Sequence, residues 1–296
     1  MSFKSNDFKG LKIEFAEILA SQYTSSEIKL IWRETMRHYF AISSTEQLLS
    51  DQRVFTSEEI ELLSDLVHRL NCGEPFQYLL GEVEFYGLEL KIDGRALIPR
   101  PETEELVDWV NQNHKAEVKN ILDVCSGSGC IALALSNTFQ GARVCGVEYS
   151  NSAIELAQEN ALALKLPVRY IETNVLDPKA FTNSMSKEVE KNGTFDIVVS
   201  NPPYIPNHEK KDMESNVLDH EPALALFVPD DDPLLFYRVI SESVMPFLST
   251  NAWVYFECHY LYVDQTREIL IELGYENVEK RRDLQGKWRM LKAQKL

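Results

Sequence analysis

The stretch from Asn120 to Leu135 leaves little choice of architecture. Asn120-Ile121-Leu122-Asp123-Val124 is a short apolar run with the length and bounds of a buried parallel strand. Cys125-Ser126-Gly127-Ser128-Gly129 turns the chain, and residues 130–135 resume with helical spacing. Strand, glycine turn and helix make the entry half of a nucleotide-binding βαβ unit, in which glycines let backbone approach a ligand. No Gly-Lys-Ser/Thr follows the turn, which excludes a P-loop.

The next apolar run, residues 143–147, ends in Glu148, 25 residues beyond Asp123. That is close to the spacing of an acid that grips ribose hydroxyls. Glycine loop and acid together point to an adenosine-containing ligand and do not separate NAD from S-adenosylmethionine. A helix is expected over 152–164 and a strand over Val168–Glu172, leading to Thr173-Asn174-Val175-Leu176-Asp177, a segment placed to flank an adenine. Residues 182–194 are polar and read as a surface insertion.

A fourth strand, residues 195–199, delivers Ser200-Asn201-Pro202-Pro203-Tyr204. Two consecutive prolines fix φ and remove two donors, and Pro202 pushes Asn201 out of the α region. The result is a stiff turn offering an amide oxygen, a free carbonyl and an aromatic ring, suited to a planar group that carries an NH2. Such a nitrogen is barely nucleophilic, because its lone pair is shared with a π-system. Acceptors at Asn201 Oδ1 and the Pro202 carbonyl favour the nitrogen as it pyramidalises and gains charge during attack on an electrophilic carbon. Tyr204 is expected to pack on the flat face of the substrate. In a doubly wound sheet, ligands bind outside the carboxyl ends of the strands. Gly127, Glu148, Asn174 and Asn201 all fall at such ends and converge on one pocket.

The flanks are simpler. Residues 6–72 have helical spacing, with Phe8, Leu11, Phe15 and Ile18 in one stripe and Ile60, Leu63, Val67 and Leu70 in another. Thr24 with Glu27, and Thr56 with Glu59, have capping-box spacing. His38 and His68 within this region read as ordinary surface side chains. Residues 81–94 alternate about Tyr86-Gly87 as a hairpin or a bulged strand that connects two domains. Pro101 and the acids after it read as a helix start behind Arg100. Residues 219–226 form a pocket wall in which His220 is structural. The C-terminal segments 276–282 and 287–293 close the sheet as an antiparallel hairpin around Gln285-Gly286.

A net charge of −16 works against sequence-independent attraction to nucleic acid, so Lys280-Arg281-Arg282 reads as a solvated strand edge. No window has the apolar length of a membrane span, and the first ten residues lack a signal-peptide core, so a cytoplasmic protein is expected. The five cysteines, Cys72, Cys125, Cys130, Cys145 and Cys258, contain no C-x-x-C pair; they are expected to be reduced and mostly buried, with no metal site.

Several blocks occurring in this order closely resemble the bacterial release-factor glutamine N5-methyltransferases. They are Gly73-Glu74-Pro75-Phe76-Gln77-Tyr78 with Gly81, residues 97–104, the glycine loop, Asn201-Pro202-Pro203-Tyr204-Ile205, residues 221–226 and Asp283-Leu284-Gln285-Gly286-Lys287. The resemblance implies a class I S-adenosylmethionine-dependent methyltransferase, Rossmann-like and doubly wound with a C-terminal antiparallel hairpin, behind a small N-terminal helical domain. By that resemblance residues 1–80 recognise substrate, 81–95 connect, and 96–296 carry the methyltransferase. It further implies methylation of the glutamine amide in the Gly-Gly-Gln motif of peptide chain release factors. Cys125, Ser126, Gly127, Ser128 and Gly129 would line the methionine part of the cofactor, Glu148 would hold the ribose, and Asn174 and Val175 would lie by the adenine. Asn201, Pro202, Pro203 and Tyr204 would bind the glutamine amide, with Asn201, Pro202 and Tyr204 catalytic and Asn201 also beside the cofactor. Three positions depart from the family pattern: Cys125 stands for the loop's first glycine, Glu148 for the commoner Asp, and Asn174 for a common Asp.

Rival readings are a glutamine methyltransferase acting on a ribosomal protein, a DNA adenine N6-methyltransferase, which must flip its base, and a cofactor-binding regulator without catalysis. Acidity and the lack of an evident DNA-recognition domain weigh against the DNA enzyme. An intact Asn-Pro-Pro-Tyr loop weighs against the regulator.

Overall fold

The computed structural model describes residues 3–47, 53–114 and 118–296. The chain divides into two compact units, Met1–Gly81 with Glu214–His220, and Glu82–Met213 with Glu221–Leu296.

The smaller unit is helical. Thr24 and Thr56 accept from the amides of Glu27 and Glu59, whose carboxylates reach back to the capping residues' own amides, so both capping boxes form. The helix Phe8–Leu19 buries Phe8, Leu11, Phe15 and Leu19, so Leu19 rather than Ile18 completes its stripe. The helix Ser57–Asn71 buries Leu63, Leu66, Val67 and Leu70. Trp32 packs edge-on to Phe8 and Phe15 at centroid distances of 5.4 and 5.1 Å and shares one buried core with both stripes.

The larger unit begins with the hairpin β1 (Glu82–Phe85) and β2 (Leu88–Lys91). Tyr86 and Gly87 both take positive φ at its two-residue turn, as such hairpins require. The hairpin is built into the core of this unit. Phe85, Leu88 and Leu90 are buried with Leu106, Val110 and Leu135, and Asn160 exchanges two hydrogen bonds with the Lys91 backbone.

The remaining strands are β3 (Asn120–Val124), β4 (Arg143–Glu148), β5 (Val168–Glu172), β6 (Phe195–Ser200), the short β7 (Ile205–Pro206) and β8 (Phe227–Val228), then β9 (Leu248–Glu257), β10 (Glu276–Arg282) and β11 (Trp288–Gln294). Seven of them form one sheet in the order β10-β11-β9-β6-β3-β4-β5. The run from β9 to β5 is parallel, and β11 and β10 add antiparallel. This is the expected doubly wound sheet with its C-terminal hairpin. Leu122, Val124, Val198, Val254 and Phe256 face one core, while Ile121, Ile197, Val199 and Tyr255 face the other, so the central strands are apolar on both faces. Strand order reverses at β3, with β4 on one side and β6 on the other, and ligand crevices form at such a switch point.

Residues 182–194 do not form a surface insertion. All but the last two belong to the helix Pro178–Asn192, capped by Asp177, which accepts from the amides of Lys179 and Ala180. Only a narrow stripe, Phe181, Met185 and Glu188, is buried. Spacing carries that signal even where mean polarity hides it. At the C-terminal hairpin, the turn after Asp283 is held by the acid-rich start of the helix Pro101–Asn113. Leu284 donates its amide to Glu105, and Gln285 its side-chain amide to Glu102. Among the described residues no helix is long and apolar enough to cross a membrane.

Candidate active site

The carboxyl ends of β3, β4, β5 and β6 open into a cavity of about 220 Å³, room for a small organic molecule rather than single waters. Its lining includes Cys125 to Ser128, Glu148, Thr173, Asn174, Val175, Asn201 and Pro203. The glycine loop, Glu148, the segment at Asn174 and Asn201 therefore all border one cavity.

The glycine loop is shaped by backbone geometry. Cys125, Gly127 and Gly129 all have positive φ, at 63°, 53° and 81°. The left-handed region costs a non-glycine residue roughly 1 kcal/mol or more, which is the physical reason for a glycine where Cys125 stands. Burial holds the Cys125 thiol well above its usual range, with the carboxylates of Glu148 and Asp123 adding to the shift, so it stays protonated and unreactive. Gly129 lies behind the loop, off the cavity surface.

Glu148 organises this loop. One carboxylate oxygen accepts from the Gly127 amide at 3.0 Å, and the other from the amides of Tyr149 and Ser150 at 2.8 and 2.9 Å. A carboxylate has about four acceptor sites, so capacity remains for a ligand hydroxyl. Asn174 makes an Asx turn, accepting from the Leu176 amide at 2.9 Å. Beside it Thr173 is among the lining residues; its own hydroxyl is buried and has no hydrogen-bond partner.

Beneath the loop, Asp123 is fully buried. Its Oδ2 accepts from the Ser126 hydroxyl and the Ala132 amide, and its Oδ1 has no partner. Burial pushes the carboxyl up to about 7, whereas an unfolded aspartate ionises near ~3.9. Between those values the native state keeps a proton that the unfolded chain has lost, so stability falls as pH rises and levels off above about 7. Asp123→Asn is expected to gain on the native protein by about 2 to 3 kcal/mol between pH 5 and pH 8. Urea unfolding of both proteins at the two pH values checks this; an unchanged gap would show that Asp123 is ionised throughout.

Across the sheet from Asp123 lie Gly146 and then Tyr170. A Cβ on Gly146 would meet the Tyr170 ring at 2.5 Å and the Ser126 hydroxyl at 2.6 Å, and one on Gly129 would meet the Tyr170 hydroxyl at 2.2 Å. Gly146→Ala is therefore expected to cost about 1 to 3 kcal/mol through overpacking. Its chemical-denaturation midpoint should fall; an unchanged midpoint would mean that Tyr170 moves aside freely.

Asn201 is held by Thr103, which lines the same cavity. Its Nδ2 donates to the Thr103 hydroxyl at 3.1 Å, and Thr103 donates to Glu257 at 2.7 Å. The Tyr204 hydroxyl donates to the other oxygen of Glu257 at 3.1 Å. The loop is further tied by Ser200, which donates to the Val124 carbonyl at 2.6 Å, and by the amides of Tyr204 and Ile205 on the Leu226 carbonyl. Pro202 and Tyr204 do not reach the cavity surface. Tyr204 instead packs against the core and, at 5.9 Å, against His259. Its expected stacking on the substrate gives way to a role in holding the loop. Burial raises its hydroxyl pKa, with Glu257 adding to the shift, so the group remains a donor.

Of the proposed wall, Pro222, Leu224 and Ala225 line the cavity, while Asp219 and His220 belong to the helical unit. Arg100 lines it too and pairs with the buried Glu221 at 2.6 Å. Of the five free cysteines only Cys145 and Cys258 are buried. Cys72 is exposed, and the half-buried Cys130, which the sequence did not single out, lines the cavity. Thr103 and Glu257 were also missed.

Comparison with known proteins adds two kinds of finding. Residues 13–81 match the PrmC N-terminal domain, and residues 102–221 match the methyltransferase small domain. The release factor glutamine methyltransferase of Flavobacterium psychrophilum is 37% identical over 289 residues, covering 96% of this chain and 98% of that protein. The release factor glutamine methyltransferase of Lactococcus lactis is 35% identical over 266 residues, covering 90% and 92%. Among solved structures, the hMettl16 catalytic domain in complex with the MAT2A 3'UTR hairpin 6 superposes with a TM-score of 0.54 at 16% identity, covering 71% of this chain and 76% of that one.

Proposed function

Because this chain belongs to the release factor glutamine methyltransferase family and its larger unit has the class I methyltransferase fold, we propose that it methylates the glutamine side-chain amide in the Gly-Gly-Gln motif of peptide chain release factors, using S-adenosylmethionine. The observation that carries this reading is the Asn201 carboxamide, held at the carboxyl end of β6 on the same cavity as the glycine loop and Glu148. A cavity lined by an acid with spare acceptor capacity and by the glycine loop fits a nucleoside joined to an amino acid. The helical unit is proposed as the substrate-recognition domain.

When bound, S-adenosylmethionine supplies a methyl group made electrophilic by its sulfonium. Cys125 to Ser128 would hold its methionine part, with Gly129 setting the turn, Glu148 would accept from the ribose hydroxyls, and Asn174 and Val175 would border the adenine. Asn201 Oδ1 would accept an N–H bond of the substrate amide. That acceptor gains strength as the nitrogen pyramidalises, so it favours the transition state over the ground state. Pro203 closes the cavity beside it, while Pro202, expected as a second acceptor, does not reach the cavity surface. No base is needed before bond formation, because the methylated amide nitrogen is acidic enough to lose its proton to water.

The test is methyl transfer from labelled cofactor to purified release factor, with ribosomal protein and duplex DNA in parallel, and peptide mass spectrometry to locate the label. Label on the Gly-Gly-Gln glutamine is the expected result. Transfer only to ribosomal protein or to adenine would overturn the reading.

A further inference from the structure

We propose that Glu257 is a positioning residue: acting through Thr103, it sets the rotation of the Asn201 amide so that Oδ1, not Nδ2, faces the cavity. The proposal rests on the catalytic reading above. A carboxamide is nearly symmetric in shape, so packing alone does not decide which end points where; its hydrogen-bond partners do. The Thr103 hydroxyl has one proton and two neighbours, Asn201 Nδ2 at 3.1 Å and Glu257 Oε2 at 2.7 Å. In its ionised form the Glu257 carboxylate only accepts, and the Thr103 proton then goes to it. The hydroxyl lone pair then needs a donor, and only the Nδ2 end of Asn201 supplies one. Rotating the amide by half a turn would set acceptor against acceptor at Thr103 and leave an NH2 group facing the NH2 group of the substrate.

The same carboxylate takes the Tyr204 hydroxyl on its other oxygen, so it holds the first and last residues of the Asn-Pro-Pro-Tyr loop at once. Glu257 ends β9, the strand beside β6, and its side chain is buried at 1% exposure. It lies outside the cavity lining, where it touches no substrate, so its influence has to pass through Thr103 and Tyr204. Burial favours its protonated form, as does Glu102 on the helix Pro101–Asn113, while Arg289 on β11 and the hydroxyls of Thr103 and Tyr204 favour the ionised one. Cys130, Tyr237 and Cys258 also face it and remain neutral. Protonation would give Glu257 a proton to donate to Thr103, free Thr103 to donate to Asn201, and so satisfy the unproductive rotation as well. Turnover should therefore fall on the acid side as Glu257 takes up its proton.

Two readouts test this. In the first, kcat for release-factor methylation is followed against pH in the native protein, Glu257→Gln, Thr103→Val and Thr103→Ser. Glu257→Gln and Thr103→Val are expected to lose about tenfold in kcat with the cofactor KM within about twofold, while Thr103→Ser stays within about threefold of the native protein. The acid fall in kcat should be absent from Glu257→Gln. In the second, hydrogen exchange of the Asn201 side-chain NH2 is measured by nuclear magnetic resonance, with the signal assigned by its absence in Asn201→Ala. Exchange should accelerate about tenfold or more in Thr103→Val and Glu257→Gln. Native kcat with an intact acid limb in Glu257→Gln, a kcat loss that only follows a fall in Tm, or unchanged Asn201 exchange in Thr103→Val would overturn the proposal. If Glu257→Gln fails to fold, the Thr103 pair decides alone. A native protein that leaves release factor unmethylated would instead overturn the functional reading, and the exchange measurement, which needs no substrate, would still decide the role of Glu257.

Discussion

Asn201→Ala is expected to lower kcat on release factor by about 10²-fold or more while leaving the dissociation constant for S-adenosylmethionine within a few-fold, because it removes an acceptor whose bond strengthens mainly in the transition state. The side chain begins a loop already fixed by two prolines, by Ser200 on the Val124 carbonyl and by Tyr204 on Glu257, so folding should survive. Asn201→Asp is a finer test. It keeps an acceptor toward the cavity but sets a second carboxylate beside Thr103, whose proton is committed to Glu257. Partial activity that improves on mild acidification would support the acceptor role. A folded, cofactor-binding Asn201→Ala protein with near-normal turnover would show that the loop is structural and the proposed mechanism wrong.

The second large effect is expected at Glu148. Its carboxylate accepts three backbone amides and is proposed to accept ribose hydroxyls as well. Charge-assisted hydrogen bonds contribute roughly 1.5–3 kcal/mol each, so Glu148→Ala should raise the cofactor Kd by about 10- to 10²-fold. Part of that loss reflects the Gly127 amide, which would no longer be held, and part the ligand itself. Glu148→Gln keeps one acceptor oxygen and should fall between the two. Calorimetry giving the native Kd for Glu148→Ala would remove the residue from the site, and binding of NAD in place of S-adenosylmethionine would remove the proposed cofactor.

What could be read from the sequence was what adjacent residues decide. The glycine turn after Val124, the acid closing β4, the capping boxes at Thr24 and Thr56 and the Tyr86-Gly87 turn each rest on a few neighbouring positions, and all formed. The helix Pro178–Asn192 was hidden because its buried stripe is a single residue wide. Thr103 and Glu257 were hidden for a different reason. They lie 154 positions apart and meet only because β9 pairs beside β6 and the helix Pro101–Asn113 packs on β9. Tyr204 was placed correctly in the chain but turned the wrong way, since its direction is set by partners on β9 and at His259 rather than by the prolines before it.

The close approach of Tyr170 to two glycines ties together positions that seem to have separate duties. Gly129 belongs to the cofactor loop and Gly146 to the interior of β4, yet the space above both is taken by the same ring on β5. Positions 146 and 170 should therefore change together in evolution rather than one at a time. A descendant in which Tyr170 first gives way to a smaller side chain could accept alanine at position 146 without strain, while the positive φ at Gly129 would still demand glycine there. An alignment of relatives sorted by the residue at position 170 should accordingly show variation at 146 only where 170 is small, and almost none at 129.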